Sequence, residues 1–312
     1  MVVVLVQLDF RGRECQVMRV KGSGTDMKSI QRQGFPGVLL ADVLPLFELE
    51  DMSDEDMVEY LRHCLTEPDA PRPSIETLLH AFIPKASIVH SHADAILSIT
   101  NTNRSLEHLT EAFGELVTTV SYRRPGFALS KEVALAANHN ANSQGVVLLN
   151  HGLVTWGDTP EAAYKSHIEL VSRAQEFIQE KSQGNRVFTV PSESSRERTD
   201  RRGIAAAIAP LIRGLVSQRQ RVILYFEDSP SVLSFAGSTG VEDLTALGAA
   251  TPDHLLSTKR IPLLVKVKNP TNLDELREDL RRSIEEYAHS YEIWYSKHTD
   301  GQFPMIDPYP RV

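Results

Sequence analysis

Hydrophobic and polar positions alternate with two different periods along the chain, and the two periods predict a succession of strands and helices. Short apolar runs predict strands at residues 2–8, 16–20, 86–89, 146–150, 221–225 and 263–267. Apolar residues three or four positions apart predict helices at residues 53–66, 74–82, 94–101, 129–140, 160–183, 205–217 and 273–291. Strands and helices that alternate in this way predict an α/β architecture, with a sheet between helical layers.

One polar segment divides the chain. Residues 183–200 are rich in Ser, Glu and Arg and include a proline, which is typical of a linker. We therefore predict a domain at residues 1–183, a linker at 184–200 and a smaller C-terminal α/β extension at 201–312.

Composition narrows the classes of partner. The 312 residues are 41% hydrophobic and 24% charged, as in ordinary globular proteins, and the formal net charge is −8. A negative chain is a poor partner for a nucleic-acid backbone, so we expect no nucleic-acid binding. A phosphorylated substrate would need a local anion site, because the average field of this protein repels it.

Cysteine content and terminal hydrophobicity indicate the compartment. Two cysteines, Cys15 and Cys64, give no disulfide framework and predict reduced thiols in the cytoplasm. The apolar run at residues 1–6 is too short for a signal peptide or a membrane span, so we expect no membrane association.

The candidate chemistry centres on three histidines near strand ends. His90 and His92 flank Ser91 after one predicted strand, and His151 follows another. Alternation along an extended backbone puts His90 and His92 on one side, where both imidazoles can reach one ion. Three protein ligands with an open position are typical of a catalytic zinc, whereas a structural zinc has four. Because a chain with 11 histidines also produces a His-x-His pair by chance, spacing alone leaves both interpretations open.

Glu76 lies at the start of the predicted helix 74–82, for which Ser74 is the predicted N-cap. A carboxylate in a first helical turn ordinarily only offsets the helix dipole, but near a zinc ion it can act as a general base. The helix start at Ser74 and the glycine-rich turn at Ser23 and Gly24 both offer backbone N–H groups to an anion such as phosphate.

Four segments, in this order along the chain, resemble the class II aldolase/adducin family: residues 20–24 (Val-Lys-Gly-Ser-Gly), 72–76 (Arg-Pro-Ser-Ile-Glu), 88–94 (Ile-Val-His-Ser-His-Ala-Asp) and 148–157 (Leu-Leu-Asn-His-Gly-Leu-Val-Thr-Trp-Gly). Residues 250–254 (Ala-Thr-Pro-Asp-His) and 258–260 (Thr-Lys-Arg) are similar to the aldolase half of the bifunctional rhamnulose-1-phosphate aldolase/alcohol dehydrogenases. The resemblance implies a three-layer α/β/α fold with a central, mainly antiparallel sheet.

The resemblance also implies the roles of particular residues. The zinc ligands of the family correspond to His90, His92 and His151. Its catalytic acid/base corresponds to Glu76, and its phosphate-binding positions correspond to Ser23, Gly24 and Ser74. Tyr122 corresponds to a tyrosine that a neighbouring subunit contributes to protonate the leaving aldehyde, and a half-buried packing role is the alternative for this residue.

The activity implied by the resemblance is a zinc-dependent cleavage of a sugar phosphate. The substrate would be a ketose 1-phosphate such as L-rhamnulose 1-phosphate, and the products would be dihydroxyacetone phosphate and L-lactaldehyde. The protein would assemble into a homo-oligomer, which is a tetramer in the family. There are three alternatives: a pentulose-phosphate 4-epimerase with the same metal site, a non-enzymatic interaction module of the adducin type, and an inactive aldolase relic.

Two features depart from the family pattern. The Gly-Asn-rich loop that precedes the first strand pair in the family does not occur in this sequence, so we expect weakened phosphate binding. There is also no glycine-rich dinucleotide fingerprint, and we therefore expect no nicotinamide chemistry.

Overall fold

The computed structural model describes residues 2–9, 11–140, 142–183, 188, 198–301, 304, 305 and 307–312. The chain divides into two compact units, Met1–Gln183 and Gly184–Val312. Most of the predicted linker 184–200 lies outside the described residues, and a helix begins at Arg198. None of the helices within the described ranges is long and apolar enough to cross a lipid bilayer.

A seven-stranded sheet forms the centre of the first unit. Its strands are β1 (Val2–Leu8), β2 (Glu14–Arg19), β3 (Gly37–Leu39), β4 (Ser87–Ser91), β5 (Val117–Val120), β6 (Gly145–Leu148) and β7 (Gly152–Gly157). Their order is β3-β2-β1-β4-β7-β6-β5. Every neighbouring pair is antiparallel except β5 and β6, which confirms the prediction of a mainly antiparallel sheet.

Seven helices accompany the sheet: α1 (Leu40–Val43), α2 (Asp54–His63), α3 (Thr77–Phe82), α4 (Asp94–Thr100), α5 (Ser105–Phe113), α6 (Phe127–His139) and α7 (Pro160–Ser182). Local sequence explains where two of them begin. The Ser53 hydroxyl caps α2 by accepting from the Asp56 N–H, and Thr159 caps α7, whose first residue is a proline.

Alternation along the central strands separates the helices into two layers. In β6, Val146 and Leu148 pack in one cluster with Leu79 of α3 and Val133 of α6. Val147, which lies between them in sequence, packs with helices α4, α5 and α7 on the other face. The first unit is therefore a three-layer α/β/α sandwich, and the predicted fold class is confirmed.

All the regular elements that the structure describes in the second unit are helices. Its helices are α8 (Arg198–Val216), α9 (Pro230–Ala236), α10 (Val241–Leu247), α11 (Pro252–Thr258) and α12 (Leu273–His298). The strands predicted at residues 221–225 and 263–267 do not form, so the expectation of an α/β extension is wrong for the described residues. Residues with strand-forming side chains still need a neighbouring strand to pair with. Here the Val222 N–H instead donates to the Ser217 hydroxyl, and the Leu263 N–H donates to the Val312 carbonyl.

Candidate metal centre

Two imidazoles meet at the end of β4. His90 is the fourth residue of this strand and His92 follows its last residue, so both side chains leave the same face of the sheet. Their Nε2 atoms are 3.2 Å apart. His90 Nδ1 lies 3.0 Å from the carbonyl oxygen of Leu153, which can only accept, so Nδ1 carries a proton and Nε2 is the nitrogen available to a metal ion.

The third imidazole comes from the turn between β6 and β7. The sequence predicted a strand through Asn150, but β6 ends at Leu148. Asn150 has a φ of 57°, in the left-handed region, and its side-chain amide donates to the Thr100 carbonyl at 3.3 Å. This backbone conformation interrupts the strand and turns the His151 side chain into the interior, where its exposure is only 2%.

Glu76 completes the cluster. The helix predicted from residue 74 begins instead at Thr77, with Glu76 in the N-cap position, so the assignment of Ser74 as N-cap is wrong. The N–H of Ser74 donates to the Lys21 carbonyl at 3.2 Å, which ties the turn before the helix to a distant loop. Glu76 Oε1 lies 3.0 Å from His151 Nε2 and 3.4 Å from His90 Nε2.

The arrangement fits a divalent transition metal. One ligand atom from each of Glu76, His90, His92 and His151 lies within 4.8 Å of all the others. Around a tetrahedral zinc with bonds of about 2.05 Å, neighbouring ligand atoms are about 3.3 Å apart. Three of the six pairs here are close to that spacing: His90–His92 at 3.2 Å, Glu76–His151 at 3.0 Å and Glu76–His90 at 3.4 Å. Imidazole and carboxylate ligands in this number could hold zinc or a similar ion.

Charges within the cluster favour an ionised carboxylate. Burial alone would raise the pKa of Glu76, but His90 and the hydrogen bond from His151 hold that pKa well below its usual range. Burial works against the charged form of His90, yet the adjacent Glu76 carboxylate raises the pKa of this imidazole. Glu76 therefore stays negatively charged at neutral pH, as a metal ligand or a general base must.

The loops predicted to bind phosphate are neighbours. Ser23 N–H donates to the Arg72 carbonyl at 2.8 Å, beside the bond between Ser74 and Lys21, and Gly24 has a φ of 75°. The Ser74 hydroxyl also accepts from the Glu76 N–H at 3.3 Å, which links this turn to the metal cluster.

Two further residues at the site escaped the sequence analysis. The exposed guanidinium of Arg72 lies 3.5 Å from the Ser23 hydroxyl and gives the phosphate loops a positive charge. Gly152 allows β4 and β7 to approach closely beside the ligands, since a Cβ there would lie 2.3 Å from the Ser91 carbonyl oxygen. Both lie in segments that resemble the family, residues 72–76 and 148–157, but the sequence alone indicated no role for either.

Tyr122 is not a member of the cluster. It follows β5 and its side chain is 62% exposed, so the alternative of a half-buried packing residue does not describe it within this chain.

Comparison with known proteins agrees with this geometry. Residues 46–178 match the model of the class II aldolase and adducin N-terminal domain, and residues 203–312 match that of the class II aldolase second domain. The chain is 44% identical to the N-terminal class II aldolase domain of a conserved protein from Thermoplasma acidophilum, with a TM-score of 0.54 over 57% of this chain and 82% of that one.

A longer relative matches almost the whole chain. The uncharacterized oxidoreductase YuxG of Bacillus subtilis (strain 168) is 38% identical over 306 residues, which are 97% of this chain and 44% of that protein. The chain thus spans less than half the length of this curated relative. From the two domain matches, the Thermoplasma structure and the sheet described above, we conclude that the chain belongs to the class II aldolase/adducin family.

Proposed function

We propose that this protein is a zinc-dependent aldolase that cleaves a ketose 1-phosphate, with L-rhamnulose 1-phosphate as the substrate and dihydroxyacetone phosphate and L-lactaldehyde as the products. The observation that carries the proposal is the convergence of three imidazoles and one ionised carboxylate within 4.8 Å, in a domain of the class II aldolase family.

His90, His92 and His151 are the proposed zinc ligands. A bound zinc ion would act as a Lewis acid that stabilises the negative charge developing on the substrate oxygens when the C3–C4 bond breaks. Glu76 holds and moves the proton at the carbon that becomes nucleophilic in the reverse reaction. Its low pKa and its distance of 3.0–3.4 Å from two ligand nitrogens support this role, since a base must be ionised and close to the reacting atoms.

The substrate phosphate is proposed to bind at the paired loops, where Ser23, Gly24 and Ser74 offer hydroxyl and N–H groups. The guanidinium of Arg72 beside Ser23 supports this assignment, because a protein with a net charge of −8 needs a local cation to attract a phosphate.

Tyr122 is proposed to protonate the leaving aldehyde in the active site of a neighbouring subunit of a homotetramer. An aromatic side chain that is 62% exposed is available for this use. The cytoplasm remains the predicted location.

We further propose that residues 1–183 form the catalytic domain, 184–200 a linker and 201–312 a C-terminal domain. The division of the chain after Gln183 and the two matched ranges support these boundaries.

The decisive experiment combines metal analysis with product analysis. We expect one zinc per chain after purification without chelators, and release of L-lactaldehyde from L-rhamnulose 1-phosphate within a panel of ketose 1-phosphates. Glu76→Gln should keep the zinc, because three imidazoles remain, and lose about 10²–10⁴-fold in turnover, which is the usual contribution of a general base.

Glu107→Gln is the matched control, because this carboxylate is 62% exposed and pairs only with Arg104 among the described residues, so turnover should not change. Absence of a transition metal from the native protein would refute the metal-dependent activity. If the protein instead epimerises a pentulose phosphate at C4 and releases no aldehyde, its activity is that of an epimerase and not of an aldolase.

A further inference from the structure

A buried chain of hydrogen bonds lies behind the strand that carries two of the ligands. Ser91 stands between His90 and His92, and its Oγ is 2.6 Å from Nε2 of His167 on helix α7. Nδ1 of His167 is 3.0 Å from Thr155 Oγ1, which is 3.1 Å from the Ala163 carbonyl oxygen. His167 is 4% exposed and Thr155 is fully buried.

The partners fix the direction of every bond in this chain. The Ala163 carbonyl can only accept, so it takes the single hydroxyl proton of Thr155. The Thr155 oxygen must then accept from His167, which places the imidazole proton on Nδ1. His167 Nε2 is consequently an acceptor, and the Ser91 hydroxyl donates to it.

The strand end carrying the ligands has few other anchors. On one edge, β4 pairs with β7 as far as Ser91 and Leu153. On the other edge, β1 pairs only with Ser87 and Ile88, so among the described residues no strand supports the backbone beyond that point. The hydrogen bond from Ser91 to His167 therefore holds the end of β4 against α7.

A serine 2.6 Å from an imidazole also resembles a nucleophile and its base, but the third group argues otherwise. The hydroxyl of Thr155 is neutral and cannot stabilise an imidazolium as a carboxylate does. Burial in addition lowers the pKa of His167 to about 4, which makes it a weak base. The chain of bonds is suited to holding Ser91 in place.

We propose that His167 is a positioning residue for the metal centre: by accepting from Ser91 it fixes the backbone between His90 and His92 and thereby sets the affinity for the metal. This inference rests on the proposed metal-dependent function. Its basis is the directed chain of hydrogen bonds and the single-edged support of the strand end.

Two amide substitutions distinguish the roles of the two ring nitrogens of His167. In His167→Gln the side-chain amide reaches the place of Nε2 and can still accept from Ser91. In His167→Asn the amide reaches only the place of Nδ1, so the Ser91 hydroxyl loses its acceptor. We expect zinc affinity near that of the native chain for the Gln variant and an affinity about 10–100-fold lower for the Asn variant, the usual effect of losing a group that orients ligands.

Zinc affinity is measured on the whole chain by competition with a chromophoric chelator, and the visible spectrum of the cobalt-substituted protein reports the ligand geometry. Ser91→Ala should lose as much affinity as His167→Asn, and the double variant no more than either, because all three remove one hydrogen bond. Ser91→Ala also serves as the test if the Asn variant does not fold.

Ser130→Ala is the matched control for a lost buried hydroxyl. Its Oγ donates to the Gly126 carbonyl at 2.9 Å, so the variant should lose thermal stability and keep its zinc affinity and cobalt spectrum. Equal affinities of the Gln and Asn variants would overturn the role of His167 and leave the proposed function intact. A native chain that binds no zinc would instead overturn the proposed function.

Discussion

Gly152 directly follows the ligand His151 at a point where two strands nearly touch. A Cβ at this position would lie 2.3 Å from the Ser91 carbonyl oxygen and 3.2 Å from Cε1 of His90. The first contact is with backbone, which cannot rotate away, so a methyl group would push β4 and β7 apart. The absence of a side chain at residue 152 thus allows β4 and β7 to bring their ligands close together.

We therefore expect Gly152→Ala to weaken zinc binding by at least about tenfold, as misplaced ligands do, and to lower the melting temperature. Zinc affinity and thermal denaturation measure the two effects.

Gly203→Ala is the control, because a Cβ at this helical glycine would meet nothing within 4 Å. It should add up to about 1 kcal/mol of helix stability and leave zinc affinity unchanged. Native zinc affinity in Gly152→Ala would show that the strands accommodate the methyl group.

Two helices of the first unit each bury a neutral histidine. Burial lowers the pKa of His80 on α3 to about 3 and that of His167 on α7 to about 4. In the unfolded chain both groups titrate near pH 6.5. Between about pH 6.5 and pH 4 the unfolded chain binds protons that the folded chain excludes, so the free energy of unfolding must fall as the pH falls.

Removing one of these histidines should flatten that dependence. We compare the metal-free native chain with metal-free His167→Gln. Below pH 6.5 the free energy of unfolding of the variant should fall less steeply with falling pH, by about 1.4 kcal/mol per pH unit, because one titrating group is gone. Urea denaturation of the native and variant chains at several values between pH 7 and 4.5 measures the difference. Parallel curves would mean that His167 is protonated in the folded protein.

Elements defined by local signals could be predicted from the sequence. Helices α2 and α7 begin where Ser53 and Thr159 offer capping hydroxyls, and the histidine pair of β4 follows from strand alternation. Helix α3 starts at Thr77, later than predicted. The turn before it is tied to a distant loop by the bond from the Ser74 N–H to the Lys21 carbonyl, and helical periodicity contains no trace of such a contact.

Strands that depend on distant partners were the weak point. The three-residue β3 and the four-residue β5 are too short to show a period, and each is defined by its neighbour in the sheet. Conversely, residues 221–225 have the composition of a strand without a partner strand in the described part of the chain. The prediction of the site had the same limit. His151 gave a local signal at a predicted strand end, whereas His167 and Arg72 contribute through contacts between remote segments.

At the scale of the whole molecule, the metal centre joins segments that are far apart in sequence. Glu76 and His151 are separated by 75 positions, and their contact exists only when α3, β4 and the turn before β7 are assembled. An ion that binds the folded chain alone adds about 2.7 kcal/mol at a free concentration 100 times its Kd.

For a unit of this size, such a gain corresponds to a rise of about 5–10 °C in melting temperature. We expect this rise when zinc is added to the chelator-treated protein, measured by thermal denaturation. His151→Ala, which lacks a ligand, should show a much smaller rise, and an equal rise in both chains would place the stabilising ion elsewhere.

The long separation between Glu76 and His151 also has a kinetic consequence. Closing so large a loop costs entropy, and we expect this contact to form late in folding, with the ligands still apart in the transition state. An interaction absent from the transition state slows unfolding and leaves the folding rate almost unchanged. Zinc should accordingly lengthen the lifetime of the native protein against proteases and heat, while a newly made chain folds at the same speed with or without the ion.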